Sequence, residues 1–297
     1  DDVSCLALDP SGEIAASGQV GLPCYICVWL VDDCSLFGKF GEELPPFTGQ
    51  ARENKTYFYF ERQVVQVGFS SDSQLVMGIG GDNHHRLGVW HLASGALVAD
   101  IGTANGDPPQ VYALETRPDL RFEPLAPEQG RGGAGAGQGG AEMERWDRVV
   151  TGGCSKHLKF WTIRTKVSEM KKLERGGKPV GDTAGTAEGQ GARFGDLGSS
   201  APPPRKVLAL CFATWDPNIC FAGGDNGYVY LIEDDFRSPT ARAAWRAHPG
   251  PGGVAALACS ADKLFTGGGD GYCRAWGRQH LEELRQGAAA AAAARGG

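Results

Sequence analysis

Short apolar runs separated by polar turns recur along the whole chain. Five of them open with valine: Val3-Ser4-Cys5-Leu6-Ala7-Leu8, Val64-Val65-Gln66-Val67-Gly68-Phe69, Val111-Tyr112-Ala113-Leu114-Glu115, Val207-Leu208-Ala209-Leu210-Cys211-Phe212 and Val254-Ala255-Ala256-Leu257-Ala258-Cys259. A reversal follows each, as in Asp9-Pro10-Ser11-Gly12, Arg117-Pro118-Asp119 and Ser260-Ala261-Asp262. Such residues tolerate positive φ or bond their own backbone. A second run then drifts into small residues, as in Ile14-Ala15-Ala16-Ser17-Gly18, Val149-Val150-Thr151-Gly152-Gly153 and Leu264-Phe265-Thr266-Gly267-Gly268. A third ends on an aromatic: Trp29, Trp90, Trp161 and Trp276 close four of them, while the fourth unit, Gly227-Tyr228-Val229-Tyr230-Leu231-Ile232-Glu233, has no Trp. In the second unit Ala96-Leu97-Val98-Ala99-Asp100-Ile101 supplies a fourth run.

Runs of this length bounded by turn residues predict strands. Their recurrence with a Trp at a fixed place predicts an all-β propeller of about five recognisable four-stranded blades, in a partial or open ring. A two-sheet sandwich also has short strands, but lacks the recurring Gly-Gly-to-Trp spacing. The blades fall near 1–45, 60–105, 108–165, 205–240 and 245–280. A repeat of this kind runs roughly 40 to 45 residues, yet Trp29 to Trp90 is 61 residues and Trp90 to Trp161 is 71. Insertions near 33–62, 121–146 and 164–205 absorb the excess. The last two are poor in apolar residues and read as mobile low-complexity loops. An Ala/Gly-rich tail, 281–297, either extends the helix-prone Leu281-Glu282-Glu283-Leu284 or stays disordered.

The fifth unit matches the WD pattern closely. Thr266, Asp270 and Trp276, with His248 ahead of them, fall at the spacing of a buried hydrogen-bond network, which makes His248 and Asp270 structural residues. Thr151 and Trp161 repeat that spacing in the third unit, where Ser155 replaces the Asp and leaves the network incomplete. Ala16-Ser17-Gly18-Gln19-Val20 leading to Ile26-Cys27-Val28-Trp29, then Phe60-Glu61-Arg62-Gln63 running into the second unit, Leu87-Gly88-Val89-Trp90, Phe160-Trp161 and Ala247-His248, follow one another in an order that resembles the echinoderm microtubule-associated protein-like family. The resemblance covers nearly all the chain outside the insertions. It implies tandem atypical propellers that bind tubulin or microtubules, without cofactor or reaction, at the cytoskeleton of the cytoplasm or in cilia. The chain lacks that family's hydrophobic motif ahead of the propeller, and its five units are fewer than the roughly seven of a closed ring, so a partial chain is expected.

Composition narrows the function classes. The formal net charge is −6 and the pI near 5.6, so no whole-surface field attracts nucleic acid or anionic lipid. No stretch approaches a membrane span. Nine scattered cysteines lie mostly in strand-like runs and predict a reducing compartment; Cys24 and Cys27 form a Cys-x-x-Cys without the second pair that zinc needs. Asn54-Lys55-Thr56 fits a glycosylation sequon, which matters only in a secreted chain. The glycine-rich Gly78-Ile79-Gly80-Gly81 and Gly267-Gly268-Gly269 open no helix, so they read as strand-end turns rather than phosphate cradles. His84 and His85 read as solvent-exposed turn residues, and no catalytic arrangement stands out. One feature runs against the acidic balance: Lys156, Lys159, Arg164, Lys166, Lys171, Lys172, Arg175 and Lys178 face only Glu169 and Glu174. A flexible basic loop here would steer onto acidic tails, in a salt-sensitive way. The alternatives are a solvated insertion and a general scaffold that binds other proteins through the propeller faces.

Overall fold

The computed structural model describes residues 2–41, 59–82, 85–102, 111–125, 142–179, 181–195, 197 and 201–296, with side chains assigned in the last helix only to 287 and at 290. Among the described residues twenty strands form five antiparallel sheets in chain order, and two helices accompany them. The first blade is β1 (Val3–Leu8), β2 (Ile14–Gln19), β3 (Ile26–Leu30) and β4 (Leu36–Phe40). The second is β5 (Val64–Phe69), β6 (Leu75–Gly80), β7 (Arg86–His91) and β8 (Leu97–Gly102). The fourth is β14 (Val207–Phe212), β15 (Ile219–Gly224), β16 (Tyr228–Glu233) and β17 (Thr240–Arg246). Each is a four-stranded meander in simple order.

The third and fifth blades depart from that count. In the third, β9 (Val111–Thr116) and β10 (Arg121–Pro124) share one edge of the long β11 (Met143–Gly153), and β12 (Leu158–Lys166) and β13 (Gly185–Gly191) follow. The fifth has three strands, β18 (Val254–Cys259), β19 (Lys263–Gly268) and β20 (Cys273–Gly277), and helix α2 (Arg278–Gly296) comes next. Leu281 of α2 is buried beside Trp245 and Trp276, which is why the tail is helical where it meets the blade.

The expected loop at 164–205 is not one. Helix α1 (Val167–Glu174) and β13 lie inside it, and β13 supplies the outer strand of the third blade, paired with β12 from Lys159↔Gly191 to Thr165↔Gly185. Its glycines serve packing, because a Cβ on Gly189 would sit 2.3 Å from the Trp161 ring that lies across it. Likewise β4 lies within the expected insertion at 33–62, and β10 and the start of β11 lie within that at 121–146; residues 42–58 and 126–141 of those insertions, and His84, are outside the described residues. His85 is buried, its Nδ1 3.1 Å from the Gly80 carbonyl oxygen, rather than solvated.

The core is divided among the junctions between neighbouring blades. Ile26 and Val64 belong to the cluster between the first two, Val89 and Ile163 to the next, Phe160 and Tyr230 to the third, Phe221 and Val254 to the last. Buried charge bolts the middle blades together. The Arg148 guanidinium on β11 donates to both Asp234 oxygens at 2.9 and 2.7 Å, and Arg117 donates to the Asp234 carbonyl at 3.2 Å. Arg145 donates to Asp147 in its own strand and to Asp72 of the second blade. Low dielectric makes such pairs costly to break.

Candidate functional site

The buried WD network is assembled in the fifth blade. His248 Nε2 lies 2.8 Å from Thr266 Oγ1, His248 Nδ1 lies 2.8 Å from Asp270, and Trp276 Nε1 donates to Thr266 Oγ1 at 3.1 Å. Arg274 donates to the second Asp270 oxygen at 2.8 Å. In the third blade Trp161 Nε1 donates to Thr151 Oγ1 at 2.9 Å, and the imidazole is supplied by His157, 2.8 Å from the same hydroxyl. Spacing alone passes over His157, since it follows the threonine in the chain instead of preceding it. Burial holds its ring down to about pKa 4, with the Lys159 cation adding to the effect, so the imidazole is neutral.

The other blades keep less of this arrangement. Trp29 Nε1 donates to Ser17 Oγ at 2.9 Å, a serine standing for the threonine. Trp90 has Gly78 at the corresponding place and packs edge-on against Tyr59, ring centroids 4.9 Å apart. The fourth blade has Ile232 for the Trp and Ala222 for the hydroxyl, so donor and acceptor are lost together. Thr151, His157, His248 and Thr266 are buried within their blades, whereas Trp29, Asp270 and Trp276 are part-exposed.

The basic run divides into two groups. Lys156 is in the turn before β12 at φ 63°, and Lys159 lies on β12 with its Nζ 5.3 Å from the Trp161 ring centroid. Lys166 is at the far end of β12, roughly 23 Å away at about 3.3 Å per residue. Arg164 pairs with Glu188 at 2.9 Å and Lys166 with Glu142 at 3.7 Å, so those charges are partly met.

Helix α1 carries the rest. Met170 and Leu173, three apart, are buried in the core cluster of the second and third blades, and Gln74 of the second blade donates to Glu174 at 3.1 Å. Gly176 at φ 77° ends the helix in the left-handed region, and its N–H reaches the Leu173 carbonyl at 2.9 Å while that of Gly177 reaches Lys172 at 2.9 Å. With one face so anchored, the opposite face turns Lys171, Lys172 and Arg175 outward, where the helix dipole favours cations in the last turn. These three, with Ser168 and Gly177, line an open cleft of about 380 Å³. Lys172 also lies 3.5 Å from Glu169, whereas among the described residues no carboxylate is within ion-pair distance of Lys171, Arg175 or Lys178. The cleft is therefore a surface on an anchored helix, bordered by three cationic side chains.

Other candidate chemistry is not brought together. Cys24 and Cys27 are both buried, and Cys24 Sγ donates to the Phe60 carbonyl at 3.0 Å. Among the described residues no group of three or more His, Cys, Asp or Glu is placed to hold a metal ion, and no helix is long and apolar enough to cross a membrane.

No protein-family model matches the chain. Among solved structures it is similar to the β-propeller domain of Cps50 (Swd1) from Myceliophteria thermophila, with a TM-score of 0.56 at 10% sequence identity over 93% of this chain. The match spans 66% of that chain, just under two thirds of its length. The radial series of antiparallel sheets and this likeness together give the chain one plain description: it is a β-propeller.

Proposed function

We propose that the chain is a non-catalytic docking propeller for microtubules, and that the cationic cleft of α1 meets acidic tubulin tails. A propeller offers broad loop faces to macromolecules, which supports the coarser reading of a protein-interaction scaffold. The order of motifs shared with echinoderm microtubule-associated protein-like proteins supports the tubulin reading by analogy. The observation that carries it is the cleft itself: Lys171, Lys172 and Arg175 converge on an anchored helix in a chain of net charge −6. A compact cation cluster speeds encounter with an acidic surface and orients it. The same reading assigns the protein to the cytoplasmic cytoskeleton, cilia included.

Co-sedimentation with taxol-stabilised microtubules tests it. The wild type is expected to pellet with intact microtubules and far less with microtubules whose acidic C-terminal tails have been removed by protease. Lys171→Glu, Lys172→Glu and Arg175→Glu together are expected to abolish the difference. Equal pelleting of wild type and triple variant would overturn the proposal and leave a scaffold for other partners.

A further inference from the structure

The cleft beside α1 is bordered by a hydroxyl as well as by cations. Ser168, exposed in the first turn, lines it together with Lys171, Lys172 and Arg175. The four fall at i, i+3, i+4 and i+7, one stripe of the helix, opposite the buried Met170 and Leu173. Two other hydroxyls lie between Lys156 and Lys178, on Thr162 and Thr165 of β12, and both are buried, at 3% and 1% exposure. Turn serines in other blades stand among aspartates: Ser11 and Ser73 donate to Asp9, and Ser260 donates to Asp262. Ser168 instead has Arg164 and Lys166 ahead of it and Lys171 and Lys172 behind.

The local structure lets that hydroxyl be reached. The chain is extended at Lys166, with φ −62° and ψ 136°, and no side chain caps the start of α1. An uncapped first turn on an eight-residue helix opens at low cost, while Met170 and Leu173 hold the following turn to the core. At present Ser168 Oγ donates to Glu142, whose other oxygen lies 3.7 Å from Lys166 Nζ. A phosphate on Ser168 would carry a charge of about −1.5 to −2. Glu142 would repel it, whereas Lys171 and Lys172, three and four residues on, would draw it across the cleft. Around the cleft Lys166, Lys171, Lys172 and Arg175 stand against Glu142 and Glu169, so one phosphate cancels the local excess of cations.

We propose that Ser168 is a phosphorylation site and that its phosphate, clamped by Lys171 and Lys172, switches the cleft off. The donor is a nucleoside triphosphate, used by a protein kinase whose acidic substrate groove complements basic flanks. The Ser168 oxygen bonds to the γ-phosphorus, the bridging P–O bond to the β-phosphate breaks, nucleoside diphosphate leaves and the hydroxyl proton is released. The switch rests on the cleft being a contact for acidic tails; the site and the clamp do not.

Three measurements test these parts separately. The full chain is incubated with magnesium ATP and basophilic serine kinases, and the phosphate is located by tandem mass spectrometry. Incorporation at Ser168 is expected, and Ser168→Ala should remove it; a chain left unmodified at Ser168 would overturn the site. Phosphorus NMR then follows the full chain with phosphoserine placed at 168 by codon reassignment. The second phosphate ionisation, ordinarily near pKa 6, should fall by about one unit, a tenfold loss of proton affinity. It should return in Lys171→Gln with Lys172→Gln, both exposed changes that leave the melting temperature in place; an unshifted ionisation would overturn the clamp. Last, microtubule pelleting at low salt should be at least fivefold weaker for the phosphorylated chain. Equal pelleting of the two forms would overturn the switch alone. Failure of the unphosphorylated chain to pellet would sink the tubulin reading and the switch with it, while the first two measurements still decide the site and the clamp.

Discussion

At position 266 a single hydroxyl accepts from the Trp276 indole and meets the His248 imidazole, all inside a blade. Thr266→Val keeps the shape and orphans both partners, so it should cost about 1–3 kcal/mol in urea unfolding. This network is legible in the sequence because its members stand at fixed intervals in one repeat. His157 is not, since its ring reaches Thr151 from the turn before β12, which only the fold brings close. Its titration has a definite sign. The folded ring has a pKa of about 4 and the unfolded one roughly 6.5, so the unfolded chain takes up the proton first. The stability is fully present above pH 6.5 and is lost as pH falls toward 4, by about 3 kcal/mol at most. His157→Gln should flatten that part of a stability-against-pH curve; an unchanged curve would remove His157 from its cause.

Strands and helices outside the repeat show where composition misleads. Gly185–Gly191 reads as loop because it holds no large apolar residue, but an outer strand is held by backbone pairing, and Trp161 covers Gly189 from the neighbouring strand. The charged alternation Arg145-Trp146-Asp147-Arg148 likewise gives no hint that both arginines are buried, because their partners Asp72 and Asp234 come from other blades. Removing one partner leaves an unpaired buried charge, so Asp234→Ala should destabilise by about 3–5 kcal/mol. Retention of wild-type thermal stability would mean that the Arg148 pair does not fasten the third blade to the fourth. Helix α1 was hidden for a related reason: two buried side chains, Met170 and Leu173, anchor it among many charged residues.

Across the whole molecule, blade order and strand register follow from the Trp-ended repeat, whereas the close packing of Val64 on Gly18, Val207 on Gly152 and Val254 on Gly223 between neighbouring blades needs coordinates. It makes a contrast between two chemically identical changes. Gly223→Val drives a side chain into Val254, whose Cβ would lie 2.9 Å from the new one, and should lower the melting temperature by several degrees. Gly267→Val places its Cβ 3.6 Å from that of Ala256, an ordinary van der Waals contact, and should not lower it. The functional reading is tested most directly by the salt dependence of microtubule affinity. Wild-type binding should weaken steeply between low and physiological salt, because exposed cations contribute less as screening increases. Reversing Lys171, Lys172 and Arg175 should both lower the affinity and flatten that dependence. A triple variant whose affinity and salt slope match the wild type would contradict the assignment of α1 as the contact with tubulin.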